Sequence, residues 1–338
     1  MSHTVCLIPG DGIGPEVAKA ARRVIDAANA HIDWLELPAG AGAVDEYGDV
    51  LPDTTVQAIE IHRVALKGPI TTPIGKGFRS VNVQLRKRLN LYAAVRPVRS
   101  MPGIKTRYEN VELVVIRENT EGLYSGLENE ITTGVVQSLK IATRTACERI
   151  SRFAFQYARE RGRRRVTVFH KANIMKLSDG LFLDCAREVH ENEAPDIQYD
   201  ELIIDNGCMH LVRDPSEFDI LLLENLYGDM VSDLCAGLVG GLGVVPGANI
   251  GNGCAVFEAV HGSAPDLAGK GLANPLALIM SGVMMLNHLG ETDAAARIKT
   301  AYDRVLRDAD PREITRDIGG QGTTASFADA ILRRMELA

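Results

Sequence analysis

Two aspartates four residues apart, Asp229 and Asp233, have a spacing that could serve chemistry. A helix would place both carboxylates on one face, where they would repel each other unless a cation lay between them. Carboxylate oxygens are ligands that Mg²⁺ and Mn²⁺ prefer. An acidic pair that interacts with a helix dipole explains the spacing equally well. Asp205, directly after the apolar segment 202–204, could supply a third carboxylate.

Three arginines, Arg86, Arg96 and Arg117, are predicted at the ends of strands and helices. A guanidinium group can bind a carboxylate through two parallel hydrogen bonds, so the three could hold a polycarboxylic acid. Any one of them alone is more often a surface or salt-bridge residue. Lys171 follows an apolar strand, where a lysine either reaches solvent or lies beside a ligand and moves a proton.

Two glycine-rich segments could approach a nucleotide. Residues 10–14 (GDGIG) do not have the G-x-G-x-x-G spacing of a dinucleotide-binding turn, so a tight turn is favoured. Residues 258–270 form a polar, glycine-rich loop, followed by 274–275 (NP) and an apolar helix at 276–289. Loops at helix ends of this kind commonly bind nucleotides.

The elements that would position these residues alternate between short apolar strands and amphipathic helices. Strands are predicted at 4–8, 63–66, 111–116, 166–169 and 220–223, and helices from 15 onward and at 146–160, 179–191 and 276–289. This alternation favours an α/β architecture with a mostly parallel sheet. Residues 126–139 alternate in places and are flanked by glycine, so we expect an antiparallel excursion there, suited to a dimerisation arm.

The composition is that of a globular protein, with 338 residues, 46% hydrophobic and 24% charged residues and a net charge of −7. The charge argues against nucleic acid as a partner, and the arginine-rich run 159–165 indicates a solvated turn. No apolar run approaches 18 residues, which argues against a membrane partner. The six cysteines include no CxxC pair and suit a reducing compartment, so we expect a cytoplasmic protein.

Taken in order, these segments resemble the isocitrate and isopropylmalate dehydrogenase family, the β-decarboxylating dehydrogenases. The resemblance runs from 8–16 (IPGDGIGPE) to 317–320 (DIGG), and 225–233 (NLYGDMVSD) is close to the family signature. It implies an α/β fold of the isopropylmalate dehydrogenase type, with two α/β domains and an active site in the cleft between them. This fold is distinct from the Rossmann fold.

The resemblance also implies a domain plan. Residues 1–92 and 240–338 would form a large cofactor-binding domain. Residues 93–239 would form a small dimerisation domain, with an interlocking arm at 122–143. A homodimer or larger self-assembly with shared active sites is therefore expected.

Individual roles follow from the same resemblance. Tyr124 would relay a proton at the carbon that loses CO₂, and Lys171 would reach across from the neighbouring subunit to act on the 2-hydroxyl proton. The implied substrate-binding residues are Ser80, Asn82, Arg86, Arg96 and Arg117. The implied ligands of Mg²⁺ or Mn²⁺ are Asp229 and Asp233, with Asp205 of the partner subunit. The implied NAD-binding residues are Ile13, Thr72, His261, Gly262, Ser263, Ala264, Asp266 and Asn274.

Ser80 and Asn82 match the pattern of isocitrate-specific members, in which these residues hydrogen-bond the γ-carboxylate. An isopropyl group would leave their polar atoms unpaired. Homoisocitrate is one methylene longer, a difference worth only about 1–3 kcal/mol. Asp266 would accept hydrogen bonds from the adenosine ribose and repel a 2′-phosphate, which favours NAD over NADP. The resemblance thus implies NAD-dependent oxidative decarboxylation of isocitrate to 2-oxoglutarate and CO₂, with homoisocitrate as the alternative substrate. A non-catalytic regulatory subunit is a further alternative, although such a chain would be expected to lose one of these arginines, the lysine or an aspartate.

Overall fold

The structure is a computed structural model that describes residues 2–73 and 77–336. Its strands are β1 (His3–Ile8), β2 (Ile32–Glu36), β3 (Val64–Lys67), β4 (Ala93–Arg99), β5 (Glu112–Glu118), β6 (Gly122–Thr132), β7 (Val135–Ile141), β8 (Arg165–His170), β9 (Gln198–Ile203), β10 (Ile220–Leu223), β11 (Pro246–Ile250) and β12 (Ala255–Ala259). Its helices are α1 (Gly14–Ala27), α2 (Ala41–Tyr47), α3 (Asp53–His62), α4 (Val81–Arg88), α5 (Arg144–Glu160), α6 (Ser178–Glu193), α7 (Ile204–Arg213), α8 (Asn225–Val239), α9 (Leu276–His288), α10 (Thr292–Asp308) and α11 (Thr324–Glu336).

Ten strands form one sheet in the order β2-β1-β3-β12-β11-β4-β5-β10-β8-β9. The predicted α/β class is confirmed, and the pairs toward both edges are parallel. The centre differs from the prediction, because β12 pairs with β11, β11 with β4 and β4 with β5 in antiparallel fashion. Of these central strands, β4 and β5 belong to the predicted small domain and β11 and β12 to the predicted large domain. The sheet is therefore continuous across the predicted domain boundary.

The first helix shows why the sequence elements form where they do. Pro15 lies in the first turn of α1, where its missing N–H leaves no intrahelical bond unmade. Val17, Ala21 and Val24 recur on one face of α1 and are buried. Helices α9 and α11, from the other end of the chain, pack beside α1. Residues from the two termini therefore share one core, as the large domain requires, while its exact bounds remain a prediction.

Strands β4, β11 and β12 separate two cavities, because successive side chains of a strand point to opposite faces. Arg96, Asn249 and Glu258 face a cleft of about 220 Å³. Their neighbours Val95 and Phe257 face a second cavity of about 630 Å³ between α5 and α9. Eight of the predicted site residues line this cleft.

Strands β6 and β7 form a separate two-stranded antiparallel sheet. It coincides with the arm predicted at 122–143. Leu127, Ile131, Val135 and Val136 are exposed on it, with Val136 66% exposed. The excursion is thus confirmed as a hairpin, and its part in dimerisation stays a prediction. None of the helices in the described part of the chain combines the length and apolar character needed to span a membrane.

Candidate active site

The cleft is bounded by the ends of β3, β4, β11 and β12 and by helices α4 and α8. Lys67 and Asn249 line it beside residues predicted from sequence. The predicted residues that line it are Ser80, Asn82, Arg86, Arg96, Tyr124, Asp229, His261 and Gly262. Residues from distant parts of the chain that were predicted to bind substrate, cofactor and metal thus lie around one cleft. Ser80 also caps α4, since its hydroxyl accepts a hydrogen bond from the Val83 amide at 3.5 Å.

The three predicted arginines lie close together at the wall of this cleft. Arg117 is fully buried behind the cleft, where its Nε and Nη2 donate to Asn225 Oδ1 at 3.0 and 2.7 Å. Burial and the neighbouring charge of Arg86 lower the pKa of both Arg96 and Arg117, that of Arg117 to about 10. Mutual repulsion among buried cations is relieved by an anion, so the cluster is built to receive one.

Asp229 is the acid that meets these cations. It forms an ion pair with Arg117, and its Oδ2 accepts a 2.5 Å hydrogen bond from the Tyr124 hydroxyl. Burial, reinforced by this bond, raises the pKa of Tyr124 and keeps the phenol protonated. Burial also acts to raise the pKa of Asp229, but Arg117, Tyr124 and Arg96 outweigh it and lower that pKa. The cleft therefore holds a charged carboxylate beside a neutral phenol, and the phenol donates its hydrogen bond to that carboxylate.

The predicted metal ligands Asp229 and Asp233 lie one turn apart on α8, with side chains 38% and 56% exposed. Burial raises the pKa of Asp233, and the charge of Asp229 adds to that effect. The two carboxylates together form a pair of oxygen donors. A divalent cation between them would stabilise the ionised form of both. Within the described residues, no three His, Cys, Asp or Glu side chains form a complete metal site. A cation held here would need further oxygen ligands from outside this set.

Lys171 and Asp205 lie together, away from the cleft. Lys171 follows β8, Asp205 is in the first turn of α7, and the two form an ion pair. The hydrogen bond that the Lys171 ammonium donates lowers the pKa of Asp205, whose side chain is 68% exposed. Neither residue lines the cleft of its own chain. The structure thus pairs the two residues that were expected to act in a neighbouring subunit.

The glycine turn at the N-terminus is a packing device. Gly12 has φ +60°, and a Cβ on it would lie 2.1 Å from the backbone oxygen of Ser263. The Ile13 amide donates to that same oxygen at 2.9 Å. The turn therefore holds the predicted nucleotide loop against β1, in agreement with the tight turn expected from its spacing.

The remaining predicted cofactor residues lie at several different contacts. Thr72 donates a 3.3 Å hydrogen bond to Ser80, which links this region to α4. Asn274 Oδ1 accepts a 2.9 Å hydrogen bond from the Leu276 amide at the start of α9, and Asp266 is exposed. Ala264 has φ +37°, a left-handed conformation that a non-glycine residue adopts only when its surroundings hold it. Burial lowers the pKa of His261, so its ring is neutral beside the cleft.

Sequence reasoning missed a buried ion pair at the floor of the cleft. Lys67 Nζ lies 2.6 Å from Glu258 Oε2, and the Lys67 side chain is only 2% exposed. Asn249 Nδ2 donates to Glu258 Oε1 at 2.7 Å, and Arg86 approaches the same oxygen at 3.5 Å. Burial acts to raise the pKa of Glu258, but Lys67 and Arg86 overcome it and hold that pKa at about 2. A glutamate inside the apolar strand β12 was the signal that could have revealed this pair.

Replacing Glu258 by glutamine is expected to lower the free energy of unfolding by about 3–5 kcal/mol, because Lys67 would be left buried without a countercharge. Urea denaturation measures this loss. The exposed pair Arg23–Asp329 supplies the control, since Asp329→Asn should cost about 0–1 kcal/mol. Adding Lys67→Met to Glu258→Gln should recover part of the loss. A loss below about 1 kcal/mol would contradict the inferred role.

The same pair sets a direction for acid sensitivity. The folded pKa of Glu258 is depressed to about 2, below an unfolded value of about 4.3. Its contribution to stability is therefore present above pH 4.3 and is lost as the pH falls toward 2. Below that window, Glu258→Gln and the wild type should differ least.

The family model for isocitrate/isopropylmalate dehydrogenase matches residues 4–331. This chain belongs to that family of dehydrogenases, as predicted. It is 54% identical over 329 residues to the mitochondrial NAD isocitrate dehydrogenase catalytic subunit 5 of Arabidopsis thaliana, covering 97% of this chain and 87% of that protein. It is 52% identical to a mitochondrial NAD isocitrate dehydrogenase regulatory subunit of Dictyostelium discoideum, with 98% and 91% covered. The crystal structure of isocitrate dehydrogenase from Methylococcus capsulatus superposes with a TM-score of 0.95 at 50% identity, covering 98% and 99%.

The relatives correct one expectation. Both the Arabidopsis thaliana and the Dictyostelium discoideum relatives are named as mitochondrial proteins, so the prediction of a cytoplasmic protein is wrong. That prediction rested on reduced cysteines and on the lack of long apolar runs. The cysteines within the described residues are indeed free, but free thiols occur in more than one compartment. Neither feature indicates a particular cellular compartment.

Proposed function

We propose that this protein is an NAD-dependent isocitrate dehydrogenase that oxidises isocitrate and decarboxylates it to 2-oxoglutarate, with Mg²⁺ or Mn²⁺ as the metal. The observation that carries the proposal is that Arg86 and Arg96 line one cleft together with Asp229 and Tyr124, while Arg117 lies buried behind them and pairs with Asp229. Buried cations bind a polycarboxylate, and the adjacent acid and phenol can serve its reacting end. The relatives from Arabidopsis thaliana and Dictyostelium discoideum both carry the NAD isocitrate dehydrogenase name.

The arginines would hold the substrate and fix its orientation. Arg86 and Arg96 reach the cleft, whereas Arg117 is buried behind them and pairs with Asp229. Carboxylates that displace these internal pairs would gain charge-assisted hydrogen bonds in a cleft with little room for water. Arg117 would then bind substrate directly or keep Asp229 in place.

Proton movements are assigned to two side chains. Tyr124 lines the cleft as a neutral phenol, so it has a proton that it could deliver at the carbon that has lost CO₂. Lys171 would accept the 2-hydroxyl proton in the site of the neighbouring subunit as a neutral amine, since the ammonium form that pairs with Asp205 would first have to lose a proton. When bound, the divalent cation would acidify that hydroxyl and stabilise the forming carbonyl, and NAD would accept the hydride. Asp229 and Asp233, with Asp205 of the partner subunit, would hold the cation.

A homodimer follows from this assignment of residues. Lys171 and Asp205 lie outside their own cleft, so a complete site requires them from a second copy. The hairpin β6–β7 exposes the apolar residues Leu127, Ile131 and Val136, which a second hairpin could cover. Such a contact is isologous, since the same surface would be used on both subunits.

The NAD site would lie beside the loop that packs on the glycine turn. Nε2 of His261 is buried without a hydrogen-bond partner at the cleft, as expected of a group that meets a ligand. Asp266 is exposed and carries the negative charge that would accept bonds from ribose hydroxyls and repel a 2′-phosphate.

Unpaired polar atoms in the cleft favour isocitrate over an apolar analogue. Asn82 Oδ1 and Arg86 Nε are buried and lack hydrogen-bond partners. A substrate carboxylate would satisfy Arg86 Nε, whereas an isopropyl group in the same place would leave that donor unpaired at a cost of about 1–3 kcal/mol. Polar sites of this kind reject analogues that lack the matching group by about 10⁴-fold.

The purified chain alone, with NAD and Mg²⁺, is expected to turn over isocitrate with kcat/KM about 10⁴-fold above that for 3-isopropylmalate. Asn82→Leu should lower kcat/KM for isocitrate about 10- to 100-fold and narrow the gap. Gln84→Leu on the same helix is the matched control, because Gln84 bonds to the Arg79 carbonyl. Steady-state kinetics on isocitrate, homoisocitrate and 3-isopropylmalate under both cofactors measures this. An inactive chain that gains activity only with a second subunit would favour the regulatory alternative, and faster turnover of homoisocitrate would change the substrate.

A further inference from the structure

A buried carboxylate on α6, Asp179, contacts the segment that carries Lys171. Its side chain is only 2% exposed. Its Oδ2 accepts a 2.7 Å hydrogen bond from the backbone amide of Lys171. Its Oδ1 accepts a 2.5 Å hydrogen bond from Lys140 Nζ on the hairpin strand β7. One acid therefore fixes the backbone of Lys171 and ties it to the hairpin.

Lys140 extends this connection to α8. Its Nζ lies 3.3 Å from Glu224 Oε1, and Glu224 directly precedes the helix that carries Asp229 and Asp233. The same ammonium lies 4.8 Å from the centre of the Tyr227 ring, also on α8. Lys140, Asp179 and Glu224 surround a small cavity of about 20 Å³. One cation, with its side chain 14% exposed, thus joins the Lys171 segment, the hairpin and the N-terminal end of α8.

The charges make this connection rigid. Asp179 and Glu224 are acids with side chains 2% and 12% exposed, and Lys140 is their shared cation at 14% exposure. Buried ion pairs cost several kcal/mol when one partner is removed, so the three hold their places together. A backbone amide that donates to a charged carboxylate makes a strong hydrogen bond. The position of Lys171 is thereby set by groups that do not belong to its own loop.

We propose that Asp179, held by Lys140, is a positioning residue for Lys171. The inference rests on the proposed role of Lys171 in proton transfer. Asp179 touches the backbone of that residue rather than the reacting atoms, so its loss should misplace the Lys171 amino group without weakening substrate binding. Displacements of about 1 Å at a reacting group can cost about 10²-fold in rate.

Asp179→Ala in the full-length protein is expected to lower kcat about 10- to 100-fold, while KM for isocitrate and the Kd for Mn²⁺ stay within about twofold. Asp179→Asn keeps an oxygen for the Lys171 amide and should retain most of kcat. Asp303→Ala is the matched control, since Asp303 accepts from Arg99 and Lys299 at 2.8 Å each and lies far along the chain. It should lose stability and keep kcat.

Hydrogen exchange at the Lys171 amide supplies a readout independent of activity. The rate should rise at least about tenfold in Asp179→Ala, and should stay near wild type in Asp179→Asn and Asp303→Ala. Unchanged kcat with unchanged exchange in Asp179→Ala would overturn the positioning role, as would an equal loss of kcat in Asp303→Ala. A wild-type chain without isocitrate activity would instead remove the proposed function, while the exchange data would still decide whether Asp179 fixes this segment.

Discussion

Asparagine in place of Asp229 is expected to lower kcat/KM for isocitrate by about 10³-fold. Asp229 lies where the Arg117 ion pair, the Tyr124 hydrogen bond and the proposed cation meet. The substitution preserves shape but removes the negative charge that would hold the metal. Two arginines would also lose an anionic partner, since Arg96 lies 3.8 Å from the same carboxylate.

Two measurements separate the causes of this loss. Calorimetric titration with Mn²⁺ should show affinity lowered at least about 10- to 100-fold in Asp229→Asn. Asp184→Asn is the control, because it also removes an aspartate that contacts an arginine, but on the exposed face of α6. It should leave both kinetics and metal affinity unchanged. Normal metal binding in Asp229→Asn would show that Asp229 does not ligate the cation.

Mixing two inactive variants is expected to restore about one quarter of the wild-type activity. The variants are Asp229→Asn and Lys171→Met, each of which should be nearly inactive alone. In a mixed dimer, one site would contain both changes and the other would contain neither. Random assembly makes half of the dimers mixed, and each of these has one intact site out of two.

The recovery depends on which chain supplies Lys171. Refolding or co-expressing the two variants, followed by kinetics per active-site concentration, measures it. Mixing Asp229→Asn with Tyr124→Phe is the matched control, since both residues line the cleft of one chain and no intact site can form. Activity at the level of the separate variants in the first mixture would show that the sites are not shared between subunits.

The outer elements of the fold were predictable because each carries a local pattern. Helix α5 was predicted at 146–160 and is found at Arg144–Glu160, and β10 was predicted with its observed ends. Periodic apolar residues and the Thr143 cap determine such elements within a few turns of chain. The alternation of strands and helices along the chain predicts the parallel strand pairs toward both edges of the sheet.

The centre of the sheet could not be predicted in this way. Pro97 lies inside β4, and β11 contains Pro246, Gly247 and Asn249, which argue against a central strand. Pro97 is tolerated because β11 pairs with β4 only at Ala93–Val95. These strands form because they pair with the parallel strands on either side of them in the sheet. Such long-range pairing cannot be read from a short stretch of sequence.

The site residues also divide into those that a local motif reveals and those that depend on long-range contacts. Residues in distinctive motifs, such as Tyr124 and Asp229, were found and do meet in the cleft. Lys67 was missed because a lysine at a strand end ordinarily reaches solvent, and only the position of Glu258 across the sheet makes it a buried pair. Contacts made by backbone geometry, such as that of Asp179 with the Lys171 amide, have no signature in residue types.

The place of β12 has a consequence for synthesis on the ribosome. Ala255–Ala259 lies between β3 and β11, so residues from the last third of the chain occupy the middle of the sheet. The N-terminal strands β1–β3 consequently emerge with an uncovered edge that stays open while most of the polypeptide is made. Unpaired edges of this kind are prone to association with other chains. Completion of this fold is therefore a late event, and the nascent N-terminal half is the stage at which a chaperone would have most to protect.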